Sequence, residues 1–180
     1  MPNQFTFILG GARSGKSTYA QQMAEESGRP VTFAATAIAF DEEMAARIAV
    51  HRAERPASWH TLESSRGVGK AIREQAVDGG IVLLDCLTLL ANNVLLALPD
   101  PQNGPAAQAA LDAEVDDLLD AWGQGNADWI VVSNEVGLGL VPEYPLGRVY
   151  RDVLGRANQR LARAATRVIF MVAGLPLIVK

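Results

Sequence analysis

A single cysteine, Cys86, stands in the 180 residues of this chain. One thiol closes no intramolecular disulfide and builds no cysteine zinc cluster, and a chain that needs neither fits a reducing compartment. Also missing is any apolar run near the ~20 residues that a membrane span requires. The N-terminal MPNQFTFILG has neither a basic n-region nor a cleavage site, so a cytoplasmic protein with no membrane span is expected. Positive charge is in short supply as well. Sixteen Lys and Arg face 20 Asp and Glu, for a formal net charge of -4 and a pI near 5.2. Such a field repels nucleic acid and anionic membranes, so no nucleic-acid partner is expected. No repeat or low-complexity segment occurs. With 49% hydrophobic and 20% charged residues the chain has the composition of a folded globular protein. Its length suits one catalytic domain over residues 1–180.

Short, nearly continuous apolar runs alternate with helical patterns. FTFIL (5–9), VTFAAT (31–36), IVLLD (81–85), WIVVS (129–133) and RVIFMV (167–172) read as strands buried on both faces, which implies a parallel sheet. Helices are expected over 18–26, 41–52, 67–76, 111–122 and 153–165. This alternation specifies an α/β sandwich with helical crossovers. The ending VAGLPLIVK suggests a last antiparallel strand, Leu177 to Lys180, that returns through Gly174 to Pro176. Leu98 to Pro105, rich in Pro, Asp, Asn and Gly, reads as a surface loop.

GGARSGKS fits G-x-x-x-x-G-K-[ST], and it sits between the first strand and the first helix, as a phosphate loop must. Backbone N–H groups along Gly10, Gly11, Ala12, Arg13, Ser14 and Gly15 would cup phosphates, helped by the dipole of the following helix. Lys16 would reach the β and γ phosphates, and the Ser17 hydroxyl would ligate Mg²⁺. Asp85 ends the apolar strand IVLLD. An ionised group there is costly unless it faces a site, and ligands of open α/β sheets lie at the carboxyl ends of strands. Asp85 is therefore the expected partner of Ser17 in holding Mg²⁺. WIVVSNEVGLGLVP repeats this pattern with Ser133, Asn134 and Glu135, which serve either a site or a turn.

In DEEMAARIAVHRAERP a helix would place Glu43, Arg47 and His51 on one face, with Arg52 and Arg55 following. Two guanidiniums beside a histidine suit a polyphosphate. His60 has no such company. Glu63, three residues on, is a candidate carboxylate of the nucleotide site that nothing local separates from a surface position. Arg156, Arg160, Arg163 and Arg167 recur at helical spacing, a pattern closer to a solvated or subunit-facing surface than to a nucleic-acid reader.

GGARSGKS, DEEMAARI, HRAERP with WHTLE, LLDCLT, SNEVGLGLVPEYPLGRVYRDVLGRANQRLA and VAGLP together resemble the bifunctional adenosylcobinamide kinase and adenosylcobinamide-phosphate guanylyltransferase of cobalamin biosynthesis. The likeness runs along essentially the whole chain. It is weakest from Leu98 to Gly125, and AATRV replaces acidic residues before the last parallel strand. The resemblance implies a P-loop NTPase fold, a RecA-like and mostly parallel sheet flanked by helices with an antiparallel C-terminal strand, assembled as a homotrimer. It implies ATP or GTP as phosphoryl donor to adenosylcobinamide, then transfer of GMP from GTP to adenosylcobinamide phosphate. HRxxRP would carry the family's guanylylated histidine onto His51. Two other functions share the phosphate loop: a plain small-molecule kinase, which needs no nucleophilic histidine, and a RecA-like ATPase or nucleotide switch acting on a macromolecule.

Overall fold

The structure, a computed structural model, describes residues 3–38, 42–53 and 55–180. Among these residues β1 (Phe5–Gly10) leads into α1 (Lys16–Glu26), β2 (Val31–Ala35), α2 (Glu42–Ala53), β3 (His60–Glu63) and α3 (Val68–Gln75). The chain continues through β4 (Ile81–Asp85), α4 (Leu87–Leu96), α5 (Gly104–Gln124), β5 (Asp128–Val132), α6 (Pro145–Ala164), β6 (Arg167–Val172) and β7 (Leu175–Ile178). The strands form one sheet in the order β3-β2-β4-β5-β1-β6-β7, parallel except for β7. Side chains alternate between its two faces. Phe5, Phe7, Leu84 and Val131 pack with Leu90, Leu111, Leu118 and Leu154 from the later helices, whereas Ile8, Leu83 and Val132 pack with Ala20 and Ala24 of α1. Burial on both faces is why these strands read as unbroken apolar runs.

Five elements depart most clearly from the sequence expectations, among them α6, which starts at Pro145 rather than at residue 153. HTLE forms β3, a sixth parallel strand, with only Leu62 buried. CLTLLANN conceals α4, which starts two residues after β4 ends. Gly104 and Pro105 open α5 rather than close a loop: Asn103 Oδ1 accepts from Ala106 N–H at 3.1 Å, and proline suits the first turn, where no intrahelical N–H bond is needed. The last hairpin turns at Ala173–Gly174, with φ of 51° and 82°, so β7 begins two residues early and Pro176 lies within an edge strand that tolerates it.

Candidate active site

β1 delivers the chain to its carboxyl edge at Gly10, and α1 starts at Lys16 with no side-chain cap. Gly15 adopts φ 92°, and a Cβ there would lie 3.2 Å from Gly174 Cα, so the position requires glycine on two counts. The loop is held from both sides. Gly174 N–H donates to Ser14 O at 3.0 Å, and Glu135 N–H donates to Gly10 O at 3.0 Å. Lys16 is only 8% exposed, and its Nζ donates to Gly11 O at 2.6 Å, which folds the ammonium into the loop. Burial lowers the pKa of this amine, while the charges of Cys86 and Asp85 oppose the shift. An uncapped helix start behind a glycine-rich loop, with a buried lysine beside it, suits an anion.

Strand register aligns the remaining groups. Ala35 of β2 pairs with Glu63 on one side and with Asp85 on the other, and Asp85 pairs with Val132 of β5. Glu63 and Asp85 therefore stand level at the carboxyl edge, two strands apart, and only β5 separates Asp85 from the phosphate-loop strand. Ser17, Gln21, Phe33, Arg55, Glu63 and Asp85 line a common cleft of about 130 Å³. Arg55 lies 3.7 Å over the Phe33 ring, which stacks in turn on Trp59. Its Nε is buried with no hydrogen-bond partner among the described residues. Burial lowers the pKa of Arg55, opposed by Asp85 and reinforced by Arg52. A buried guanidinium N–H in a cleft that also holds Ser17 and Asp85 suits an oxyanion ligand. Arg52 pairs with Glu63 at the rim.

The structure thus brings Arg55, Glu63, Asp85 and Ser17 to one cleft beside the phosphate loop, with Arg52 paired to Glu63. His51 belongs to the helical backbone of α2, and its side chain lies outside the described residues, as do those of Glu43 and Arg47. His60 opens β3 opposite Thr32, at the amino end of the strand and away from this edge. Arg156 and Arg160 are knitted to α5 rather than displayed: Arg156 reaches Gln108, and Arg160 binds Asp112 at 2.7 Å and also Asp116. The hydroxyl and carboxylate of Ser17 and Asp85 are the hard oxygen donors that Mg²⁺ prefers. Among the described residues no three His, Cys, Asp or Glu side chains gather into a metal cage, and an ion held largely by substrate phosphates requires none.

A buried polar seam runs behind the cleft, and sequence reasoning did not find it. Thr36 Oγ1 accepts from Cys86 N–H at 3.0 Å and donates to Cys86 O at 2.8 Å, and Asn93 Nδ2 donates to Thr36 O and Ser65 O. On the other side Ser133 Oγ donates to Asn158 Oδ1 at 2.7 Å, and Asn158 Nδ2 donates to Asn134 O at 3.1 Å. Asn134 N–H donates to Thr88 Oγ1 at 2.9 Å. These bonds tie the ends of β2, β4 and β5 together. The available signal was an asparagine amid apolar helix positions, where an unpaired amide is costly.

A phosphate loop between the first strand and helix, with a strand-end aspartate two strands away, defines a P-loop nucleotide-binding protein of the RecA-like fold. The RadB recombinase crystal structure has this fold: it superposes with a TM-score of 0.53 at 19% identity, covering 94% of this chain and 74% of that one. A family profile described as "Cobinamide kinase / cobinamide phosphate guanyltransferase" matches residues 6–179. The bifunctional adenosylcobalamin biosynthesis protein CobP of Pseudomonas aeruginosa is 48% identical, over 96% of this chain and 95% of its own length. The CobU protein of the same description from Escherichia coli K12 is 39% identical, over 96% and 98%. The chain belongs to the cobinamide kinase / cobinamide phosphate guanyltransferase family.

Proposed function

We propose that these 180 residues work as one cytoplasmic catalytic domain that phosphorylates adenosylcobinamide and then guanylylates the product. The observation that carries the reading is the single cleft lined by Ser17, at the end of the phosphate loop, with Asp85, Glu63 and Arg55, where Arg52 pairs with Glu63. In the first step the Gly10–Gly15 amides and Lys16 hold the β and γ phosphates of ATP or GTP while the substrate's hydroxyl oxygen attacks the γ phosphorus. The nucleoside diphosphate leaves and the hydroxyl proton is lost. Ser17 and Asp85 would hold Mg²⁺, which neutralises phosphate charge when bound. In the second step a neutral His51 nitrogen attacks the α phosphorus of GTP and expels pyrophosphate. The phosphate of adenosylcobinamide phosphate then attacks the resulting phosphoramidate and releases His51, giving adenosylcobinamide-GDP. Arg52, Arg55 and Glu63 line the path of the triphosphate, and the arginines offset its charge.

Self-association has its own support. Along β7, Leu175 is 71% exposed and Leu177 and Ile178 are also exposed, so the sheet ends in an uncovered apolar edge strand of the kind subunits pack against. We read it as a homotrimer contact. Mass analysis of products from adenosylcobinamide with ATP or GTP tests the enzymatic reading. Both the phosphate and the GDP adduct are expected. Phosphate alone would reduce the chain to a kinase, and nucleotide hydrolysis without either product would favour a nucleotide switch.

A further inference from the structure

A second cleft, of about 410 Å³, opens between α4 and the start of α6. Thr88, Leu89, Leu96, Tyr144, Leu146 and Tyr150 form most of its wall, and Asn92 adds one amide. Leu89 also lines the nucleotide cleft, so one side chain is the partition between the two. The phosphate loop is close by: Thr88 accepts from Asn134 N–H, and the next amide, that of Glu135, bonds Gly10 O. Two large apolar side chains stand open at the mouth, Tyr144 at 65% exposure and Leu96 at 50%. Tyr144 keeps one packing contact despite its exposure. A Cβ on Gly147 would fall 2.7 Å from the ring's Cε2 and 2.8 Å from Pro142 Cβ, so the ring lies close over Gly147 and Pro142. Tyr150 donates its hydroxyl to Thr88 O at 2.9 Å, which satisfies its polar end inside an apolar wall.

We propose that this cleft is the docking site for the corrin ring of the acceptor. The proposal rests on the reading of the chain as a cobinamide kinase. Cobinamide is a broad conjugated macrocycle with apolar faces, a rim of amides and one hydroxyl-bearing arm. A slot with a flat aromatic lip, aliphatic walls and one amide complements the ring, since aromatic side chains supply most of the affinity in such contacts and a few polar groups set orientation. The shared partition lets the arm pass Leu89 toward the γ phosphate while the ring stays outside the nucleotide cleft. A second copy of the chain is the competing occupant, and the apolar β7 edge on the far side of the sheet order already offers a surface for self-association.

The test uses the full chain and adenosylcobinamide, with binding followed through corrin absorbance in the presence of a non-hydrolysable ATP analogue and kinase turnover measured in parallel. Leu96→Asp and Tyr144→Ala are each expected to raise the Kd and KM for cobinamide about tenfold or more while changing nucleotide affinity by less than about threefold, and Tyr144→Phe should retain wild-type values. Native mass spectrometry should give all three variants the wild-type subunit count. Unchanged cobinamide affinity in well-folded Leu96→Asp and Tyr144→Ala overturns the proposal, as does dissociation of the assembly by Leu96→Asp, which would make the cleft a subunit interface. Wild-type chain that binds cobinamide without phosphorylating it would instead overturn the enzymatic reading, with the docking site still decided by the binding arm.

Discussion

The two walls of the nucleotide cleft differ in how their polar groups are held. On the wall formed by the ends of β1, β4 and β5, Lys16, Ser133 and Asn158 are buried, and the amides and hydroxyls behind them are bonded to one another. On the facing wall, built by α2 and β3, Arg52 and Glu63 form an ion pair whose side chains are 59% and 56% exposed. Solvent screens such a pair to about 0–1 kcal/mol, so Arg52 can leave Glu63 for another anion at little cost. The buried wall is arranged before substrate arrives, which spares reorganisation during γ-phosphoryl transfer. The exposed wall can exchange its internal partner for another anion, which suits the two-step reading proposed above. Arg55 lies between these extremes, stacked on Phe33 with its Nε turned inward.

The contrast can be broken most directly at Lys16. Lys16→Ala should reduce both activities by roughly a thousandfold and abolish nucleotide binding by calorimetry while circular dichroism stays native, because the β and γ phosphates lose their main point charge. Unimpaired turnover would move the site elsewhere. On the opposite wall, His51→Ala should abolish GMP transfer and the acid-labile, base-stable label left by GTP labelled in its α-phosphate, while kinase activity stays within about tenfold of wild type. His60→Ala should still take the label. Label that persists without His51, or that moves to His60, rules out the assignment.

Smaller effects sharpen the comparison. Asn158→Leu leaves Ser133 Oγ and Asn134 O without a bond they now make, at a cost of about 1–3 kcal/mol. A fall in Tm of several degrees, on the order of 5 °C, is expected for a domain of this size. Glu63→Gln removes the screened pair and should shift Tm by less than about 1 °C, with a GMP-transfer rate changed by only a few-fold. Equal losses of Tm in the two variants would erase the distinction between the walls. A readout outside catalysis comes from Cys86, whose thiol is pushed up to about 11, chiefly by burial and further by Asp85. Raising the pKa keeps the sulfur protonated, so at pH 8 iodoacetamide should modify the folded chain at least about tenfold more slowly than the unfolded one. Fast alkylation of native protein would place the β4 end in solvent.

What could be read from the sequence followed the range of the interactions concerned. The phosphate loop and Asp85 were legible because fixed local spacing and a strand end define them. β3 was missed because HTLE is four residues long with one buried side chain, too short for periodicity to register. α4 was hidden because CLTLLANN follows β4 so closely that the apolar run has no punctuation. The glycine–proline pair at the head of α5 signals a break in sequence and a start in space. Asn158 was unreadable for another reason: the groups it holds, Ser133 and Asn134, are 25 and 24 residues away. No local pattern reports a bond of that span. Arg156, Arg160 and Arg163 were legible as a helical face, but Arg167 leaves the helix and opens β6, and the partners of Arg156 and Arg160, Gln108, Asp112 and Asp116, sit on a different helix.

The hairpin between β6 and β7 has a practical bearing beyond catalysis. Gly174 presents its amide to Ser14 and its Cα to Gly15, so the final strand and the phosphate loop are linked like a handle and a latch. A tether, surface attachment or fusion that pulls on β7 transmits part of its load through the Gly174 peptide to the phosphate loop. For immobilised or force-probed forms of the enzyme, an anchor on the exposed face of α5 bypasses that lever.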